Sequence, residues 1–203
     1  MKLVLASCNK HKIEEWNATL GKYVSGVELL SLDDVGITED IEENGETFAD
    51  NATIKARAAA RSGYLSLGED SGLEVTALDG APGVYSARYA GEHGNDAANN
   101  QHLLNNLAEK QDRSARFVCT ISLVDPNAPE EAKLFRGETA GEILEEYRGE
   151  GGFGYDSLFY YPPSARTFAQ MSGVEKNQIS HRGKAIALLA DYLKTIQKKE
   201  EQR

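Results

Sequence analysis

The sequence has few cysteines and no long apolar run, and each lack excludes a class of protein. Its two cysteines, Cys8 and Cys119, do not have the short spacings of a metal cluster or a disulfide framework, and they suit a reducing compartment. No stretch approaches the roughly 18 apolar residues of a membrane-spanning helix. The apolar start is shorter than the roughly 7–15 residues of a signal-peptide core. We therefore expect a cytoplasmic protein with no membrane partner.

The chain also lacks an excess of positive charge. It carries 22 Lys and Arg against 32 Asp and Glu, a formal net charge of −10 in 203 residues. Proteins that bind nucleic acid through a basic face need clustered Lys and Arg to release counterions. We therefore expect no nucleic-acid partner. A small anionic ligand stays compatible with this charge, because it requires only a few local positive groups.

What the chain does have is an alternation of short apolar strands with amphipathic helices, which predicts an α/β fold with mixed strand directions. A charged segment over 198–203 follows the last helix and is expected to fray. The predicted strands are Lys2–Ala6, Val27–Leu32, Leu73–Leu78, Arg116–Val124, Lys133–Gly137, Thr139–Leu144 and Leu158–Tyr161. The predicted helices are 11–20, Thr47–Ser62, Asp96–Lys110 and Ala185–Ile196.

The first candidate site is the junction between the first strand and the first helix, Ser7–Lys12. Such a junction collects free backbone N–H groups and the positive end of a helix dipole, which suits a phosphate. A lysine in the first helical turn interacts unfavourably with the positive end of the helix dipole, so its presence there suggests a bound anion. The alternative is an ordinary Ser or Asn helix cap beside a solvated lysine. A Walker-type phosphate loop is absent from the sequence.

The second candidate is the acidic segment Glu69–Gly72, which the pattern places in a polar break between a helix and a strand. Adjacent carboxylates can hold a divalent cation or deprotonate a water molecule. Glu42 and Glu43, in an earlier acidic loop, could complete the set. The alternative is an acidic surface turn.

The third and fourth candidates lie late in the chain. Gly149, Gly151 and Gly154 satisfy the letters GxGxxG, but a strand ending in prolines follows where a dinucleotide site needs a helix. A glycine-flanked Phe153 can present its ring to a base, or can be buried beside a tight turn. Lys176 and the segment Ser180–Arg182 offer hydrogen-bond donors for a base or phosphate, or are a helix cap with solvated charges.

Together and in this order, five segments resemble the non-canonical purine nucleoside triphosphate pyrophosphatases, the inosine triphosphatase family. The resemblance extends from Leu3 to about Leu193. The segments are SxNxxK at Ser7–Lys12, ExGxTFxxNAxxKA at Glu43–Ala56, EDSGLxV with GAPGVYSARYAG at Glu69–Gly91, GGFGYD at Gly151–Asp156 and SHRGKA at Ser180–Ala185.

The resemblance implies one domain over 1–197, with two α/β lobes on an elongated mixed β-sheet flanked by helices and a central substrate cleft. It implies a homodimer that hydrolyses ITP, dITP and XTP to the monophosphate and pyrophosphate with Mg²⁺. Carried over by position, Asp70 would activate water, and Glu42 and Asp70 would hold Mg²⁺. The substrate-contacting positions would be Ser7, Cys8, Asn9, Lys10, His11, Lys12, Lys55, Ser71, Phe153, Gly154, Tyr155, Asp156, Lys176, His181 and Arg182.

One position departs from the family pattern, because many bacterial members carry Asp where this chain has Glu69.

Base selection would rest on the 6-oxo group of hypoxanthine and xanthine, which accepts hydrogen bonds from His181 and Arg182, whereas adenine presents an amine. Two alternatives stay open. One is a pyrophosphatase for other modified or pyrimidine triphosphates, and the other is a nucleotide-binding sensor without turnover.

Overall fold

The protein is described by a computed structural model that covers residues 1–8 and 10–201, with side chains for all of these except 10–12, 14, 15, 200 and 201. Among the described residues, no helix is both long and apolar enough to cross a membrane. The strands are β1 Lys2–Leu5, β2 Glu28–Leu30, β3 Leu65–Val75, β4 Ser114–Val124, β5 Ala132–Ile143, β6 Phe159–Tyr161 and β7 Arg166–Thr167. The helices are α1 Lys10–Leu20, α2 Phe48–Ala60, α3 Asp96–Asn106, α4 Gly173–Ile179 and α5 His181–Glu201.

The strands form one seven-stranded sheet in the order β2-β1-β3-β4-β5-β6-β7. Strand β1 is parallel to both of its neighbours, with Leu3 opposite Leu29 of β2 and Leu65 of β3. Strands β5, β6 and β7 pair antiparallel. The prediction of an α/β fold with a mixed sheet is therefore confirmed.

The chain divides into two compact units, each with its own core. The first consists of Met1–Asp70, Thr120–Gly137 and Gly183–Arg203, and the second of Ser71–Cys119 and Glu138–Arg182. In the first unit, Trp16 of α1 and Leu189 of α5 are fully buried. In the second unit, the Phe159 ring lies 4.6 Å from that of Phe117 and 4.8 Å from that of Phe168, measured between ring centroids.

The backbones of helix α2 and strand β3 lie very close together at Gly68. A Cβ atom at Gly68 would come within 1.9 Å of the Ala52 carbonyl oxygen of α2, so only glycine fits there. The start of α2 is fixed by a capping box in which the Thr47 and Asp50 side chains each accept the other residue's backbone N–H. A capping box satisfies two backbone donors that the helix would otherwise leave open.

The structure differs from the prediction in several elements. The acidic segment Glu69–Gly72 was predicted as a break, but it lies inside β3, which ends at Val75. The two strands predicted on either side of Gly137 are one continuous strand, β5. Helix α4 was not predicted. The glycines and polar residues of β3 look like a loop in the sequence, because the partners that accommodate them come from distant segments.

We predict that Gly68→Ala lowers the free energy of unfolding by about 3 kcal/mol, the upper end for overpacking, because the clash is with helix backbone. For a protein of this size, that corresponds to a fall in Tm of about 6–12 °C. Thermal unfolding followed by circular dichroism measures it. The matched control is Gly173→Ala in α4, where an added Cβ would meet nothing within 4 Å. A Gly68→Ala variant as stable as this control would contradict the prediction.

Candidate active site

Two carboxylates of the first unit converge on the ammonium group of Lys55. Its Nζ donates to Glu43 Oε2 at 2.8 Å and lies 3.5 Å from Asp70 Oδ1. The Lys55 and Asp70 side chains are only 11% and 14% exposed. Lys55 and Asp70 are therefore shielded from water, so that their charges interact more strongly than they would in open water, whereas the Glu43 side chain is 36% exposed.

Asn51 organises this acidic pair, although the sequence analysis gave it no role. Its Nδ2 donates to Asp70 Oδ2 at 3.1 Å, while its Oδ1 accepts the backbone N–H of Gly45 at 2.8 Å. Asn51 and Lys55 lie four residues apart on α2, so they project from the same face of the helix. One buried amide therefore joins the loop that carries Glu43 to the strand that carries Asp70.

The surroundings of Asp70 change its acidity. Burial raises the pKa of Asp70 above its ordinary value of 3.8, and Glu43 adds to the rise, while Lys55 and the hydrogen bond from Asn51 oppose it. Burial is the largest of these effects. A carboxylate whose pKa lies above its usual range is a better proton acceptor near neutral pH.

The donor set of this cluster suits Mg²⁺. Within the described part of the chain, no three His, Cys, Asp or Glu side chains form a group that could hold a metal alone. Mg²⁺, however, usually takes one or two protein carboxylates and completes its shell with water and phosphate oxygens. Glu43 and Asp70 are two carboxylates that face the single positive charge of Lys55.

The two adjacent glutamates of the acidic loop lie in different surroundings. Glu43 bonds Lys55, whereas Glu42 lines a hollow of about 380 Å³ together with Ile37, Arg57 and Arg61. The structure therefore favours Glu43 as the glutamate of the carboxylate cluster. This differs from the assignment of Glu42 that the sequence resemblance implied.

The second unit contains a separate pocket that collects the predicted late-chain residues. It has a volume of about 200 Å³. Pockets for whole drug-sized ligands span roughly 300–1,000 Å³, so this one suits part of a ligand, such as a base. The lining consists of Ser71, Gly72, Ser86, Ala87, Asp96, Phe117, Phe153, Gly154, Tyr155, Asp156, Lys176, His181 and Arg182.

An exposed aromatic ring and two cations form one side of this pocket. Phe153 is 60% exposed, and its ring centroid lies 4.6 Å from Lys176 Nζ and 5.8 Å from the Arg182 guanidinium carbon. Lys176 also forms an ion pair with buried Asp156, whose carboxylate accepts the Phe153 backbone N–H at 3.1 Å. An aromatic face rimmed by cations can stack on a flat, electron-rich ring.

Two side chains of helix α3 form hydrogen bonds with the backbone N–H and carbonyl of Gly154, in the turn that carries Phe153. The Gly154 N–H donates to Asp96 at 2.6 Å, and its carbonyl accepts from Asn100 at 2.8 Å. The next residue, Tyr155, donates its hydroxyl to the Ser86 carbonyl at 2.8 Å, and burial raises its pKa. These bonds hold the turn in one conformation, with Gly154 at a φ of 57°.

Comparison with known proteins shows the family to which this chain belongs. The model of the Ham1 family matches residues 3–192. The chain belongs to the Ham1 family. It is 45% identical to the dITP/XTP pyrophosphatase of Clostridium perfringens over 97% of this chain and 99% of the relative. It is 48% identical to the Staphylococcus aureus MRSA252 protein of that name, over 95% and 96%. The structure of a HAM1 protein from Coxiella burnetii matches with a TM-score of 0.88 and 43% identity, covering 96% of this chain and 99% of that one.

The Ham1-family assignment confirms the resemblance drawn from the five segments. Of the predicted phosphate segment, Ser7 and Cys8 follow β1, and Cys8 is exposed. Partial burial and the carboxylates of Asp33 and Asp40 raise the pKa of the Cys8 thiol, which keeps it neutral. Asn9 lies outside the described residues, as do the side chains of Lys10, His11 and Lys12.

Sequence reasoning missed several residues of this Ham1-family chain that support the clusters. Asn51, Asp96 and Asn100 each bond a backbone group or a carboxylate of a predicted position. Phe117 stacks on the His181 ring, with centroids 4.8 Å apart and planes at 12°. The motif ExGxTFxxNAxxKA includes Asn51, and its position four residues before Lys55 was the available signal.

We predict that Asp70→Asn stabilises the fold at pH 7 while lowering turnover by about 100-fold or more, the loss expected for a general base. The folded-state pKa of Asp70 is raised, so the stability that its protonated form provides is complete below pH 3.8 and is lost as pH rises through the folded value. The asparagine side chain of the variant has no proton to lose, so Asp70→Asn avoids that loss of stability. The Tm difference between variant and wild type should therefore be positive at pH 7 and vanish as pH falls towards 3.8.

The control for this prediction is Asp50→Asn, which changes a carboxylate in the capping box of α2. A lower Tm for Asp70→Asn than for wild type at pH 7 would contradict the prediction. An unchanged rate would exclude Asp70 from the reaction.

Proposed function

We propose that this chain hydrolyses non-canonical purine nucleoside triphosphates, namely ITP, dITP and XTP, to the monophosphate and pyrophosphate. The reaction would keep deaminated purines out of the nucleotide pool. The observation that carries the proposal is the cluster of Asp70, Glu43, Lys55 and Asn51, which offers a base, two metal-ligating carboxylates and a phosphate-binding ammonium group. The names of the relatives support the choice of substrate.

The chemistry of the carboxylate cluster follows from its residues. Asp70 accepts a proton from water, the water oxygen bonds to the α-phosphorus, and the bond from that phosphorus to the oxygen bridging to the β-phosphate breaks, so that pyrophosphate leaves with the bridging oxygen. Lys55 offsets the charge of the phosphate oxygens. Glu43 and Asp70 would hold Mg²⁺, which when bound neutralises phosphate charge and orients the phosphates.

The pocket of the second unit has the chemistry to select the base. The Phe153 face can stack on a purine, and His181 and Arg182 can donate hydrogen bonds to a 6-oxo group. Adenine presents an amine at that position, which cannot accept hydrogen bonds from these two donors. A site built in this way can discriminate by about 10⁴–10⁵.

The test is a product assay over ITP, dITP, XTP, GTP, ATP and dUTP, with Mg²⁺ or EDTA, in which pyrophosphate and orthophosphate are separated. We expect Mg²⁺-dependent release of pyrophosphate from ITP, dITP and XTP, with ATP nearly inert. In Arg182→Ala the ratio of ITP to ATP hydrolysis should fall at least about tenfold, since a donor to the 6-oxo group is lost.

The other outcomes of this assay decide between the alternatives. Pyrophosphate released chiefly from dUTP would reject the base assignment and favour a pyrimidine substrate. Nucleotide binding without hydrolysis of any of the six would reject the enzyme and favour a sensor. Release of orthophosphate instead of pyrophosphate would reject cleavage between the α- and β-phosphates.

We further predict that Glu43→Gln raises the Mg²⁺ concentration for half-maximal activity at least about tenfold, because even outer partners of a metal site cost about 10–100-fold when removed. The matched control is Glu42→Gln, which removes one carboxylate from the adjacent position. Because Glu42 would lie outside the ligand shell of the metal, this variant should leave the Mg²⁺ concentration for half-maximal activity within about twofold of wild type. Titration of activity with MgCl₂ measures both. A larger effect at Glu42 than at Glu43 would reverse the assignment.

A further inference from the structure

Strand β3 carries a second carboxylate, Glu69, that the proposed chemistry does not use. Glu69 is 3% exposed, and its Oε2 accepts a hydrogen bond of 2.6 Å from the indole N–H of Trp16, which is fully buried in α1. Carboxylates are almost never so buried without a specific partner. The pair therefore requires an explanation of its own.

Glu69 faces away from the cluster around Asp70. Successive side chains of a strand point to opposite faces of the sheet. Gly68 and Asp70 meet helix α2, through the Ala52 carbonyl and through Asn51 and Lys55. Glu69 points to the other face, where it meets α1. Through the Trp16 indole, Glu69 is bonded to helix α1.

Helix α1 directly follows the segment that the family resemblance assigns to the triphosphate. Strand β1 is parallel to β3, with Leu5 opposite Leu67, and the Ala6 N–H donates to the Leu67 carbonyl at 2.8 Å. The chain then passes through Ser7 and Cys8 and enters α1 at Lys10. The bond from Trp16 to Glu69 ties α1 to the strand two residues beyond that last backbone bond.

A carboxylate is well suited to accept the hydrogen bond that joins Trp16 of α1 to strand β3. The indole has a single donor and no acceptor, and a hydrogen bond to an ionised acceptor is roughly twice as strong as one between neutral groups. Aspartate at position 69 would be shorter by one methylene, so the length of Glu69 matters for reaching the indole from the strand.

We propose that Glu69 is a positioning residue, which through the Trp16 indole holds helix α1 against strand β3, and so determines where this helix begins after the predicted phosphate segment. The proposal rests on the proposed function in that this segment is taken to bind the triphosphate. A displaced segment would weaken phosphate binding without removing any group that touches the substrate.

The experiment uses the fact that Trp16 is the only tryptophan of the chain, so that fluorescence excited selectively at tryptophan, and not at the nine tyrosines, reports on α1. Wild type, Glu69→Gln and Glu69→Asp are titrated with inorganic tripolyphosphate, which has phosphates but no base, and binding is followed by Trp16 emission. KM and kcat for ITP are measured for the same proteins and for Trp16→Phe. Circular dichroism confirms that each variant is folded.

The matched control is Glu74→Gln, which removes another carboxylate from the same strand. Glu74 accepts from Arg116 at 2.6 Å in the second unit and does not contact α1. This variant should bind tripolyphosphate as wild type does.

We expect wild-type emission to respond to tripolyphosphate, and Glu69→Gln, Glu69→Asp and Trp16→Phe to raise KM for ITP by about tenfold with a smaller change in kcat, as expected for a shifted binding segment. The first two should also weaken tripolyphosphate binding by a similar factor. In the double variant Trp16→Phe/Glu69→Gln, the effects on KM should not add, because both changes act on the same hydrogen bond: one removes its donor, and the other replaces its ionised acceptor with a neutral amide oxygen.

Two results would overturn the proposal. One is a lower Tm in the variants with tripolyphosphate affinity and KM unchanged, which would make the pair a core contact only. The other is wild-type emission that does not respond to tripolyphosphate. If wild type binds tripolyphosphate but releases no pyrophosphate from ITP, the proposed function fails, while the comparison of tripolyphosphate affinities still tests the bond from Trp16 to Glu69.

Discussion

The close approach of helix α2 to strand β3 at Gly68 is the constraint on which the carboxylate cluster depends. With a side chain there, the helix backbone would have to move away, because the nearest atom is a main-chain carbonyl oxygen. At the observed distance, Asn51 and Lys55 reach Asp70 from one face of α2. The same amide of Asn51 holds the loop that carries Glu43. The absence of one Cβ therefore determines the position of four functional groups.

Strand β3 serves different purposes on its two faces. Towards α2 it presents Asp70, a carboxylate whose pKa is raised by burial. Towards α1 it presents Glu69, bonded to an indole. A raised pKa costs stability at neutral pH, but it also increases the basicity that a proton acceptor needs. Such a trade between stability and reactivity is common where a buried charge takes part in catalysis.

Much of the fold was predictable from apolar periodicity, because β1, α2, β4 and the body of α5 follow clear patterns. Strand β3 was not, since its glycines and acidic residues resemble a turn until α2 and Trp16 are in place around them. The late-chain residues were each ambiguous alone, and the pocket that they line together resolved their positions. Asn100 had no signal of its own in the sequence, and Asn51 had only its place in a motif four residues before Lys55, because an asparagine is informative only through the groups that it bonds.

The sequence by itself determined the α/β class and the family, because ordered motifs are local properties of the chain. It also supplied the candidate residues of a nucleotide site, which stay a prediction. Only the tertiary structure decided that Glu43, and not its neighbour Glu42, joins Lys55 and Asp70. Only the tertiary structure assigned Glu69 to helix α1 and Asp70 to helix α2. Adjacent carboxylates look equivalent in a sequence, and they become different when the backbone turns them towards opposite faces and different partners.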